Sequence, residues 1–206
     1  MEETRPYTRG VIPIIDGHLD LSLNALCFNR DLTLPLEELN ARENGMKDHP
    51  CRAHATITFP ELKKAGVVVC LGTVLARVKP SIRPSGGFAR HDLDYATPEI
   101  AAAAAIGQAS YYELYEQRGW IRRIRTAADL RRHMNEVGSW LGESAPTSTA
   151  DDAAAREPDP LNAPPVGLIL AMEGADPIIS PDDLSAWWSR GLRAVGLSHY
   201  GESRYA

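Results

Sequence analysis

The 206-residue sequence is poor in cysteine and in aromatic side chains, and it lacks any long apolar run. Its three cysteines, Cys27, Cys51 and Cys70, are an odd number at unpatterned spacing. They form no disulfide frame and are expected as reduced thiols in a cytoplasmic protein. No stretch approaches the roughly 18 apolar residues of a membrane span. The polar start, Met1-Glu2-Glu3-Thr4-Arg5-Pro6, has neither the basic nor the apolar region of a secretory signal. Positive charge is in the minority, with 22 Lys and Arg against 27 Asp and Glu. Without a basic stripe to displace counterions from phosphates, no nucleic-acid partner is expected. Lys and Arg do not gather on one amphipathic face either, so no membrane partner is expected.

What is present is an ordinary globular balance, 44% hydrophobic and 24% charged, read as one unit over residues 1–206. Val11-Ile12-Pro13-Ile14-Ile15, ending at Asp16-Gly17, predicts a buried strand and a loop. Gly66 to Leu75, rich in β-branched residues, predicts a second buried strand. Pro35 to Asn40 suggests a helical turn between them, and Phe59 to Lys64 leads up to the second strand. Residues 78–95 carry Pro80, Pro84, Gly86 and Gly87 and read as a loop excursion. Thr97-Pro98-Glu99 opens a long helix through Arg118, with Thr97 as N-cap and Pro98 in its first position. Thr126 caps another helix that ends near Gly138. The stretch 142–165, rich in Ala, Asp, Ser and Pro, is expected to be a mobile surface insertion. Val166 to Met172 is a third buried strand. Ser180-Pro181 starts a helix that stops at Gly191, and Leu192 to Leu197 is a fourth strand. Apolar strands alternating with helices imply an α/β fold with a parallel sheet covered on both faces.

Polar residues cluster just past the strand ends: Asp16-Gly17-His18-Leu19-Asp20, Glu173-Gly174-Ala175-Asp176 and Ser198-His199-Tyr200. Open α/β sheets and α/β barrels place their sites at this end. On extended chain His18 and Asp20 point to one side and can share a divalent cation such as zinc. Glu173 can supply a carboxylate that bridges two cations, and His199 approaches from a further strand. His49-Pro50-Cys51 with His54 is not read as a zinc site, since Pro50 breaks it and no second cluster follows. His91 and His133 are expected at solvated positions. One ring of Trp187-Trp188 is expected to pack inward, and Tyr111 and Tyr112 to pack in a core or subunit contact.

As an ordered set, these segments resemble the membrane (renal) dipeptidase family, peptidase M19, of the metal-dependent amidohydrolase superfamily. Ile14 to Asp20 resembles its opening strand, Phe59 to Val67 its approach to strand two, and Met172-Glu173-Gly174 its bridging-glutamate motif. Gly191 to Tyr200 resembles its strand ending in histidine. The resemblance implies a TIM-type (β/α)8 barrel, of which this chain covers about the N-terminal half. It implies zinc bound by His18 and Asp20, with Glu173 bridging two ions and acting in catalysis. It also implies that His199 holds substrate and stabilises the tetrahedral intermediate. The substrate implied is a small dipeptide, and a homodimer is implied by the family habit. The donor set would also accept other divalent metals.

The family's two further histidines, its proton-shuttling carboxylate and its substrate-gripping arginine lie beyond Ala206. The chain is therefore expected to be a fragment or truncated product, inactive alone. Two other readings stay open: a different amidohydrolase-type hydrolase on the same metal frame, and a non-catalytic barrel remnant acting as a binding module.

Overall fold

The computed structural model describes residues 12–81, 93–142 and 162–206. Much of the two stretches read as excursion and insertion, together with Val11 and His91, lies outside the described residues.

Five parallel strands make the central sheet. They are β1 (Ile14–Leu19), β2 (Val67–Val74), β5 (Ile121–Arg123), β6 (Val166–Glu173) and β7 (Leu192–Gly196). A separate short pair, β3 (Arg77–Val78) and β4 (Asp94–Tyr95), is also parallel. The sheet runs β1-β2-β6, and the far side of β6 is shared by two strands. β5 pairs with its first half, Val166 to Leu168, and β7 with its second half, Leu170 to Glu173.

Helices α1 (Leu21–Phe28), α2 (Leu36–Glu43) and α3 (Phe59–Lys64) lie between β1 and β2, and α4 (Pro98–Gln117), α5 (Ala127–Trp140) and α6 (Leu184–Ser189) each precede a strand of the sheet. Their starts follow side-chain chemistry. Thr58, Thr97 and Thr126 each accept a hydrogen bond from the backbone N–H three residues on, and proline sits in the first turn of α3 and α4. Ser180 and Asp183 form a capping box on a 3-10 turn, Pro181–Asp183, which runs into α6.

β2 and β6 carry the core. Val67, Cys70, Val74, Leu168, Leu170 and Met172 are buried with Leu21 of α1, Phe59 of α3 and Tyr112 of α4. A satellite cluster joins Val68 and Val69 to Val137 of α5. Each fully buried aliphatic or aromatic side chain contributes roughly 1.5–3 kcal/mol. Trp187 is buried and Trp188 exposed, as the paired indoles suggested, and Tyr111 and Tyr112 are both in the core.

The reading of β1 as buried needs correction. Ile12, just before β1, is 72% and Ile15 67% exposed, and among the described residues β1 pairs with a strand on one side only. The outer part of β7 is open too, with Val195 and Leu197 exposed. His133 departs in the other direction. It is fully buried against Gly167, its Nε2–H donates to the Val68 carbonyl (2.8 Å), and Arg122 lies 3.4 Å from Nδ1. Burial holds its pKa below the usual value, which favours the neutral ring. No described helix is long and apolar enough to cross a membrane.

Candidate metal centre

Because every strand in the sheet is parallel, the ends of β1, β2, β6 and β7 fall along one rim. Leu19 pairs with Gly72, Val74 with Met172, and Glu173 with Gly196, which brings the loops after these strands together. β1 carries one more residue than β2 between Asp16 and Leu19. This bulge falls at Gly17-His18, where Asp16 Oδ1 accepts the His18 N–H at 2.9 Å. A bulge of this kind re-aims the side chain beside it.

His18 Nε2 lies 3.2 Å from Asp20 Oδ2 and 3.5 Å from Glu173 Oε2. One ligand atom from each of these three residues falls within 4.8 Å of the others. Two ligands about 2.1 Å from one tetrahedral cation stand about 3.4 Å apart, and the two measured separations bracket that spacing. Asp20 occupies the N-cap position of α1 yet makes no side-chain cap bond. Its carboxylate instead faces His18 and accepts from the Thr73 hydroxyl.

Glu173 ends β6 and reaches two ways. Its Oε1 lies 2.9 Å from His199 Nδ1, while Oε2 is shielded from solvent and has no hydrogen-bond partner. His18, at 3.5 Å, is within ion-pair reach but beyond a good hydrogen bond. A buried carboxylate oxygen left unpaired is costly, and a cation shared with His18 and Asp20 would satisfy it. The residues therefore fit a divalent metal. Burial and the neighbouring Asp20 charge push the Glu173 carboxyl above its ordinary pKa, against the pull of His18 and His199.

Gly174 holds a left-handed φ of +85°, and a Cβ there would stand 3.5 Å from the His199 Cβ. Glycine thus lets the chain turn off β6 while the loop after β7 closes over it. An open cavity of about 230 Å³ adjoins His199, walled by Arg77, Lys79, Asp94, Asp176 and Tyr200 among others. Asp94 is tied to Arg77 at 2.7 Å, and Asp176 accepts the Val78 N–H at 2.9 Å.

No protein-family model and no curated protein matches the sequence. Solved structures do. The chain is similar to dipeptidase AC, a metallopeptidase of family M19, with a TM-score of 0.52 and 22% identity over 91% of this chain. A metallopeptidase from Rhodobacter sphaeroides, solved with a phosphinate mimic of the dipeptide L-Ala-D-Ala, gives a TM-score of 0.54 and 19% identity over 94% of this chain. The fold is that of the M19 metallo-dipeptidases. This chain spans 43% and 47% of those two chains, so it covers one part of the dipeptidase barrel.

All four residues singled out from the sequence, His18, Asp20, Glu173 and His199, meet at this rim. His49 accepts the Cys51 N–H through Nδ1, and no metal-ligand cluster forms around it among the described residues. Thr73, whose hydroxyl reaches Asp20, belongs to no motif of the sequence. The one available signal was a hydroxyl inside the apolar run 66–75.

Proposed function

We propose that this chain carries the His18, Asp20, Glu173 and His199 portion of a zinc-dependent dipeptidase site that hydrolyses the peptide bond of small dipeptides. One observation carries the reading. Three ligand atoms of mixed nitrogen and oxygen type converge at adjoining ends of parallel strands, and one of them, Glu173 Oε2, is buried without a hydrogen-bond partner.

His18 Nε2 and Asp20 Oδ2 would hold one ion. Glu173 would join them through Oε2, while its Oε1 pairs with His199 Nδ1. Bound zinc polarises a scissile carbonyl and makes a coordinated water acidic enough to attack near neutral pH. His199 takes its orientation from Glu173. With Nδ1–H given to that carboxylate, Nε2 is the ring atom left for substrate. In its protonated form Nε2–H donates to the oxyanion that develops as the carbonyl is attacked. The open, polar cavity beside His199 is where the dipeptide would lie.

The described residues bring together a single cluster of three ligands, so a complete two-ion centre draws on further ligands. Calorimetric titration of the purified chain with zinc tests the site. One ion per chain is expected, with binding abolished or weakened at least tenfold in His18→Ala and Glu173→Ala. Unchanged zinc content in both variants would remove the metal reading. Two bound zincs with dipeptide hydrolysis would remove the claim that this set is only part of the centre.

A further inference from the structure

We infer that Thr73 is a positioning residue that holds the Asp20 carboxylate in its metal-facing orientation and away from the helix it precedes. The inference rests on the metal site proposed above. Thr73 lies near the end of β2, is 3% exposed, and directs its hydroxyl at Asp20 Oδ1. A hydroxyl has a single proton to give. The Leu19 carbonyl, at 3.3 Å, is a poorer recipient than the close carboxylate. With Oδ1 engaged, Oδ2 is the oxygen left facing His18.

The competing state is specific. Aspartate at an N-cap normally turns its side chain onto the free N–H groups of the first helical turn, a contact worth about 1 kcal/mol. Asp20 stands at that position before α1 and does not cap. One of those N–H groups is already occupied, since Ser22 N–H donates to the Tyr112 hydroxyl at 3.2 Å. The same tyrosine donates to the Thr73 carbonyl at 2.9 Å, and Ser22 Oγ donates there at 3.2 Å. Tyr112 and Ser22 thus pin the backbone of Thr73, while Tyr112 also removes a donor that would draw Asp20 onto the helix. Thr73 is β-branched, with few χ1 rotamers available, so a fixed backbone leaves its hydroxyl well aimed. Valine has nearly the same shape and suits a buried β-branched strand without asking for a hydrogen bond. Threonine here adds a buried hydroxyl whose close partner is a candidate ligand.

Partners of this kind orient metal ligands, and their loss typically lowers metal affinity 10–100-fold. The test is zinc titration of the full chain as wild type, Thr73→Val, Thr73→Ser and His18→Ala, with folding of the metal-free proteins read by circular dichroism. Thr73→Val is expected to fold and bind zinc at least about tenfold more weakly. Thr73→Ser, which keeps the donor, is expected to recover most of the affinity. Wild-type affinity in Thr73→Val, alongside loss in His18→Ala, would overturn the positioning role while leaving the metal site standing. No zinc binding by the wild type would instead overturn the metal site itself. If Thr73→Val does not fold, the wild-type chain still decides the question. The Thr73 hydroxyl proton in the zinc-loaded protein is expected to be visible by NMR and slow to exchange with solvent, and rapid exchange would overturn the inference.

Discussion

His199 Nδ1 stands 2.9 Å from Glu173 Oε1, which makes the imidazole of one strand end the electrostatic partner of the carboxylate at another. The contact has a measurable sign. Burial and the Asp20 charge raise the Glu173 pKa, and the charges of His18 and His199 lower it. Removing His199 takes away one of the two opposing influences. Zinc must displace the Glu173 proton, so its binding weakens as pH falls through that raised value. His199→Gln is expected to bind zinc at pH 8 but to lose it at a higher pH than the wild type. Superimposable pH profiles from calorimetry would show that the contact does not tune the carboxylate.

Away from the site, Glu43 offers a stability test. It is buried between Arg30 (2.9 Å) and Arg52 (2.7 Å), and also accepts the Ala53 N–H. The Arg30 hydrogen bond is the main cause that holds its pKa at about 2, against an ordinary 4.5. A depressed carboxylate contributes stability above its unfolded pKa and loses it as pH falls through the folded one. Roughly 3 kcal/mol should therefore disappear between about pH 5 and pH 2. Glu43→Gln should flatten that part of the urea-denaturation profile. It should also lower stability at pH 7 by about 3–5 kcal/mol, because the buried Arg30 guanidinium loses its charge partner, while Arg52 keeps Asp48 at 2.8 Å. An equally steep acid slope in the variant would assign the loss to other carboxylates.

Gly167 and His133 give a steric prediction. A Cβ on Gly167 would lie 2.8 Å from His133 Nε2 and 3.2 Å from the Val68 carbonyl, the two ends of one hydrogen bond. Gly167→Ala is expected to cost about 1–3 kcal/mol through overpacking. Gly107→Ala, in a helix with open space around the new methyl, should be neutral or stabilising. Equal midpoints for the two variants in chemical denaturation would refute the close approach.

Both borders of the sheet should be adhesive. Ile15 of β1 is 67% exposed and Leu197, just after β7, is 57% exposed, and strand edges unpaired among the described residues, with apolar side chains, invite association. Sedimentation of the purified chain should show oligomers that grow with concentration. Ile15→Lys with Leu197→Lys should shift them toward monomer. A wild-type monomer at all concentrations would count against open borders.

Short-range chemistry made much of this fold legible. Thr97-Pro98, Thr126 and Ser180-Pro181 each mark a helix start within a residue, since a cap is decided by neighbours in sequence. β2 and β6 were legible as apolar runs because both are covered on their two long edges by partners. The four residues of the candidate site could be read as strand-end polar groups, because parallel strands place like ends together. Three features escaped for a common reason, their dependence on distant chain. β5 has only three residues and takes its strand character from pairing with β6. His133 sits among charged neighbours in sequence, but its ring is buried against Val68 and Gly167. β1 has an interior strand's composition and an edge strand's position.

That position gives the centre a mechanical meaning. Two of the three candidate ligands ride on or just beyond the border strand β1, while Glu173 ends β6, with β2 lying between. An ion gripping all three would act as a clasp across the rim, fastening the loosest strand to the firmest. Its loading should register less in the global melt than in slowed amide exchange along Ile14 to Leu19, where fraying is easiest without it. In this chain, holding metal and holding the border strand in place would be one act.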